Sequence, residues 1–131
     1  MNRFRALFSV LMISTLISVS VTARADLSGY WQHESEPIWI EMLPDEGKGV
    51  VLRNDNKPDR VGFLVVTDLV ADEGANQWSA QVYAAQVGDY RNAEIKLEDD
   101  DLMSFTVKAG FIRRTVEWTR VQEVPSAANA E

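Results

Sequence analysis

Between Gly29 and Val121 apolar residues recur at every second position, in short runs broken by clusters of turn-forming residues, and no stretch holds a convincing helical period. This pattern constrains the fold more than any other feature, because successive side chains of an extended strand point to opposite faces. In "PIWIEML" the alternation sets Ile38, Ile40 and Met42 against Trp39 and Glu41. "KGVVLRN" reads as a strand closed by the turn "DNKPD". Further on, Trp78, Ala80 and Val82 share one face, as do Ala93, Ile95 and Leu97, and then Met103, Phe105 and Val107. "VGFLVVTDLV" is apolar on both phases, which predicts a central or covered strand. With "GYWQHE" at the start and "IRRTVEWTRV" at the end there are about eight strands, and their short connections favour antiparallel neighbours. An all-β, small antiparallel up-and-down barrel hides the edges of such a sheet; a two-sheet β-sandwich is the alternative.

The segment before this pattern has a different character. Arg3 and Arg5 precede an apolar run of 16 residues, Ala6 to Val21, and Ala23-Arg24-Ala25 follows. A basic start, an apolar run shorter than the about 20 residues of a spanning helix, and small residues at a cleavage site predict a secretory signal peptide over residues 1–25. The expected product is an exported, periplasmic chain cut after Ala25, with no transmembrane segment after processing. Lipidation at a cysteine is excluded because the chain has none. Loss of Arg3, Arg5 and Arg24 leaves ten basic residues against 20 acidic ones. That excess disfavours binding to nucleic acid and to anionic lipid surfaces. Without cysteine there is no disulfide framework, thiol nucleophile or thiolate metal site, so stability rests on packing. The remaining length suits one domain, a barrel over residues 26–121, followed by a flexible tail over 122–131 rich in small and polar residues.

The two ends of the pattern carry its most specific residues. Gly29-Tyr30-Trp31 opens the first strand and Trp118-Thr119-Arg120 closes the last. This pairing resembles lipocalin-like barrels, in which, as the resemblance implies, a G-x-W tryptophan lies across the closed end and an arginine from the final strand packs over its indole. Independently, a guanidinium over a tryptophan face gains about 1–2 kcal/mol when partly desolvated. Gly29, Trp31 and Arg120 are therefore the expected closure of the barrel. A resemblance covering nearly all of the mature chain is to the small exported bacterial proteins of domain-of-unknown-function family 2147. It rests on "GYW", on "GVV" at Gly49 to Val51, on Trp78, Tyr83, Gly88, Tyr90, Leu97 and Leu102, and on the terminal "WTRV". Ala84-Ala85 stands where that family has Asp-Pro, the spacing around Gly88 is shortened, and the cysteines of many relatives are absent, so the chain resembles a divergent member. The resemblance implies a fold and an exported location and no established activity.

Catalytic constellations are not legible. His33 is the only histidine, so a histidine-based metal site would need carboxylates for every other ligand, and no serine lies in a strained elbow motif. Asp99-Asp100-Asp101 lacks the alternating spacing and distal glutamate of a calcium loop and reads as a solvated hairpin turn. No metal or cofactor is expected. The chain reads as a non-catalytic binding module for a small amphipathic or apolar ligand. The alternative is a structural or interaction protein with a filled interior, using the loop Tyr83 to Tyr90, and a hydrolase-type enzyme is a third reading. For a ligand site the candidates are Arg114, Trp118, Phe63, Phe105 and Trp78. Alternation places Arg114 on the face of Ile112, Val116 and Trp118, where a guanidinium inside the barrel needs a loop carboxylate, a water-filled mouth or an anionic head group as partner, unless a bulge or an exposed position turns it out. A cavity of a few hundred Å3 would favour the binding module, and a packed interior the interaction protein.

Overall fold

The computed structural model describes residues 17–18, 26–74 and 76–126. Apart from residues 17 and 18, the predicted signal peptide and its cleavage site lie outside the described residues, as do residues 127–131 of the predicted tail. Eight strands follow one another: β1 Gly29–His33, β2 Ile38–Leu43, β3 Lys48–Asn54, β4 Leu64–Ala71, β5 Gln77–Ala84, β6 Asp89–Asp99, β7 Leu102–Ala109 and β8 Ile112–Val121. Each pairs antiparallel with the next, and β8 returns to pair with β1, setting Arg120 opposite Trp31 and Trp118 opposite His33. The sheet is therefore a closed up-and-down barrel, and the sandwich alternative is excluded. Two single 3-10 turns, Pro44–Glu46 and Pro58–Arg60, each start at a proline whose fixed φ suits the first turn position.

In an up-and-down barrel successive connections lie at alternate ends. The β2–β3, β4–β5 and β6–β7 turns share one end with Trp31 and Arg120, and the β1–β2, β3–β4, β5–β6 and β7–β8 connections share the other. Packing differs sharply between the two halves. Toward the first end Trp31, Ile40, Met42, Val66, Ile95 and Met103 are completely buried. Gly49 makes this density possible: a Cβ there would sit 2.8 Å from the Met42 sulfur and 3.1 Å from the Val66 side chain.

Extra residues interrupt the pattern where the sequence was hardest to read. Gly49 pairs with Val66 and Val50 with Leu64, so Val65 is a bulge, and a second irregularity lies between Thr67 and Val70. Each extra residue flips the phase of the strand. Both Val66 and Leu69 are consequently buried although three positions apart, while Leu64 and Val70 face solvent. β4, expected to be central or covered, is paired on both edges, by β3 and β5, but its outer face is not covered: its double apolar phase comes from bulges. A further extra residue, Leu52, sits opposite the Trp39/Ile40 step. There Ile40 enters the core and Trp39, on the opposite phase, packs under Arg53, whose guanidinium carbon lies 4.9 Å from the indole centre. Arg53 also donates to both carboxylate oxygens of Asp55 and to the Pro125 carbonyl, tying the chain after β8 to the outside of β3.

Candidate functional site

The closed end is built around one indole. Trp31 is fully buried and its Nε1–H donates to the Leu27 carbonyl at 3.0 Å. The Arg120 guanidinium carbon lies 4.3 Å from the Trp31 ring centre, and its donors reach three main-chain carbonyls: Asp100 (2.8 Å), Ser28 (2.6 Å) and Asp26 (2.7 Å). One cation thereby joins the start of the barrel, the β6–β7 turn and the last strand. Gly29 completes the arrangement with φ +126°; a Cβ there would stand 2.9 Å from Arg120 Nη1. Gly29, Trp31 and Arg120, expected as a unit from the sequence, are one in space. The Asp26 carboxylate, accepting from Ser28 N–H and O–H, is held below the usual carboxylate range mainly by the hydroxyl bond. Asp99-Asp100-Asp101 forms the β6–β7 turn, where the Asp101 N–H donates to the Asp99 carboxylate.

At the opposite end the barrel holds a cavity of about 560 Å3, within the range of small-molecule sites. Phe63, Val65, Val82, Phe105, Val116 and Trp118 give it an apolar wall. Phe105 and Trp118 are themselves packed, ring centres 5.4 Å apart, and form its floor side. Trp118 Nε1 has no hydrogen-bond partner among the described residues. At the rim Phe63, Tyr83 and Tyr90 form an aromatic cluster, with Phe63 and Tyr83 edge-to-face at 4.9 Å and the Tyr90 hydroxyl donating to the Leu64 carbonyl. The Arg60 guanidinium lies over it, 5.0 Å from the Phe63 centre and 5.3 Å from that of Tyr83. Lys57 and Arg114 share the cavity margin with Arg60, and none of the three is in an ion pair among the described residues.

Arg114, Trp118, Phe63 and Phe105 are thus brought together as the sequence suggested. Trp78 is not: it has the inward phase, but pairs with Ile95 and Ala71 toward the closed end and contributes nothing to the cavity. Alternation gives the face of a residue; its height along the axis depends on strand stagger, which alternation does not encode. Arg114 keeps the inward phase opposite Val107 but is exposed at the mouth, so it is no buried charge. Arg60, Lys57 and His33 were missed as cavity residues. Arg60 and Lys57 belong to a nine-residue connection without alternation, and only the Pro58 turn brings Arg60 back onto Phe63.

His33 lines the cavity beside Trp118, ring centres 4.9 Å apart and nearly perpendicular. Its Nδ1 accepts the N–H groups of Ser35 (3.1 Å) and Glu36 (3.0 Å), which fixes the neutral tautomer with the proton on Nε2, 3.6 Å from the Glu36 carboxylate. Burial lowers its pKa below the ordinary 6.5; Glu36 and Glu34 oppose that shift and Arg114 adds to it. Between the lowered value and 6.5 the unfolded chain holds a proton that the folded chain does not, so stability falls as pH drops through this window and levels off below it. We expect the His33 imidazole resonances to titrate below 6.5 and the urea midpoint to fall from pH 7.5 to 5.5. A His33→Asn variant should show a shallower dependence; an unchanged slope would assign it to other groups.

A second concavity, of about 340 Å3, lies on the outside of β4, β5 and β6, lined by Asp68, Asp72, Ser79, Gln81, Asn92 and Glu94 among others. Its polar groups largely satisfy one another: Ser79 donates to Asp72 and Gln81 to Asn92. Among the described residues no group of His, Cys, Asp and Glu is arranged to hold a metal ion, and no helix is long and apolar enough to cross a membrane. Compared with protein-family models, curated proteins and solved structures, the chain matches none.

Proposed function

We propose that this chain is a non-catalytic carrier of a small amphipathic anion, its apolar tail in the cavity and its anionic group at the rim. One observation carries the reading: an apolar cavity whose margin bears Lys57, Arg60 and Arg114 beside Glu34 and Glu36, none of the three cations in an ion pair among the described residues, in a chain where acidic residues outnumber basic ones 20 to 13. Cations that form no ion pair among the described residues, in so acidic a chain, are poised for an external anion. Arg60 is already oriented by its stacking on Phe63 and Tyr83, so little side-chain freedom is lost on binding. The same reading makes the protein exported and periplasmic, a lipocalin-like barrel and a divergent member of domain-of-unknown-function family 2147; the N-terminal sequence, the Trp31–Arg120 closure and the residues shared with that family support these points.

The test uses delipidated protein titrated with dodecanoate and, separately, with dodecanol. Trp118 borders the cavity, so intrinsic fluorescence should change with both. Arg60→Ala and Arg114→Ala should each weaken dodecanoate about tenfold, near 1.4 kcal/mol, and leave dodecanol within about twofold. A wild type that binds neither would remove the carrier reading and leave an interaction protein ahead. Variants that lose both ligands equally would show that the arginines shape the cavity without contacting the anion.

A further inference from the structure

The chain is acidic as a whole, but its charge is segregated along the barrel axis. The three turns at the closed end carry Asp45, Glu46, Asp72, Glu73, Asp100 and Asp101 and not one basic residue. At the mouth the connections carry both signs, Glu34, Glu36, Asp55 and Asp59 with Lys57 and Arg60, and the β7–β8 hairpin tip is basic. Between Asp101 and Glu117, a stretch that takes in β7, the β7–β8 turn and the first half of β8, there is no acidic residue, while Lys108, Arg113 and Arg114 flank its tip. Lys108 and Arg113 are direct cross-strand partners, and neither is in an ion pair among the described residues. Like charges set opposite one another destabilise a strand pair, and the offset within the fold is that Lys108 also lines the outer concavity with Asp68, Asp72 and Glu94. Of the acids at the same end, Asp55 is engaged by Arg53, Asp89 lies 3.4 Å from Arg91 and Glu36 lies 3.6 Å from His33, while Glu34 and Asp59 are in no ion pair among the described residues.

Exposed apolar side chains concentrate at the same end. Phe111, at the β7–β8 tip, is fully exposed, and Ile112 beside it is 69% exposed. Val61 in the β3–β4 connection and Val87 in the β5–β6 turn are also exposed, while toward the closed end Val70, near the end of β4, is the comparably exposed large apolar residue among the described strands. Gly110, at φ +63°, makes the tight turn that presents Phe111.

We propose that the mouth of the barrel docks on an anionic membrane surface, with Phe111 and Ile112 entering the interface and Lys108, Arg113 and Arg114 meeting lipid head groups. Apolar tips flanked by lysine and arginine match the two requirements of interfacial binding, buried apolar area and attraction to anionic lipid. The acidic closed end is repelled by the same surface, so the charge segregation orients the barrel with its mouth toward the bilayer. This docking goes beyond the carrier reading and does not depend on the cavity being filled.

The absence of cysteine allows one fluorophore to be placed at will. In the exported chain, processed as proposed above, an environment-sensitive dye at Val87→Cys reports the mouth and one at Asp45→Cys the closed end. Vesicles of phosphatidylcholine with about one third phosphatidylglycerol should blue-shift the mouth dye and leave the closed-end dye unchanged. Pure phosphatidylcholine, or 0.5 M salt, should weaken the response at least tenfold in lipid concentration. Phe111→Ser with Ile112→Ser should do the same while dodecanoate binding without vesicles is retained, since neither side chain borders the cavity. A response of the closed-end dye, equal binding to neutral vesicles, or an unaltered double variant would each overturn the proposal. So would mouth-to-mouth self-association or capture of a protein partner with no lipid response. Failure of the dodecanoate titration alone would overturn the carrier reading and leave the docking standing.

Discussion

Trp31→Ala is expected to lower the unfolding free energy by about 3–5 kcal/mol, the largest effect of any single substitution considered. Truncating a fully buried tryptophan removes its transfer free energy and leaves a cavity in the densest part of the barrel. It also strands the Leu27 carbonyl, which accepts the indole N–H inside the protein. Urea denaturation should show a lower midpoint with the slope preserved. Combined with Arg120→Ala, the two losses should be less than additive by at least about 0.5 kcal/mol, because each removes the same ring–guanidinium contact. Strict additivity would mean that the 4.3 Å approach contributes no stability, and that Arg120 acts only through its three carbonyl bonds.

Gly29→Ala should cost roughly 2–4 kcal/mol, an unusual amount for adding one methyl group. Two penalties combine: about 1–3 kcal/mol of backbone strain at φ +126°, and the displacement of a guanidinium that a Cβ would approach to 2.9 Å. A flexible arginine would move aside cheaply, but Arg120 Nη1 is held by the Ser28 carbonyl at 2.6 Å, and a charge-assisted bond of this kind is worth about 1.5–3 kcal/mol. Gly88→Ala is the control, since Gly88 also has positive φ, +66°, but has nothing within 4 Å of the added carbon. It should cost about 1 kcal/mol by strain alone. Equal losses in thermal or urea unfolding would remove the steric argument.

What could be seen in the sequence and what could not follows a physical division. The closure was legible because Gly29, Trp31 and Arg120 match the pattern that the lipocalin-like resemblance implies, and a guanidinium over an indole is favourable without knowledge of register. The faces of β5, β6, β7 and β8 were legible where period two runs unbroken: Ala93, Ile95 and Leu97 are all buried, as are Met103 and Phe105. Phase was lost at β3 and β4, where Leu52, Val65 and the irregularity at Asp68 shift it, and Asp68 has φ +53°, which no propensity for aspartate would single out. Depth was lost as well, which is why Trp78 was grouped with Phe105 and Trp118. The rim cations Lys57 and Arg60 had no signal, because their position depends on where the β3–β4 connection folds back. The segregation of charge was present in the order of residues, but it acquires meaning only once alternate turns are known to lie at opposite ends.

The seam between β1 and β8 has a kinetic consequence. The bonds from Arg120 to Ser28 and Asp26 span 92 and 94 residues, so the contacts that shut the barrel are among the most distant in the chain. Every other strand pair is a hairpin between neighbours and can form as the chain emerges, but the final ring closure waits for Val121. Until then β1 keeps an unpaired edge, a template for pairing with a second chain. Distant pairings of this kind slow folding, because loop entropy is lost before the contact is gained. The most stabilised corner of the native barrel is thus the last to assemble, and the interval before closure is when this protein is most open to aggregation and most in need of a chaperone.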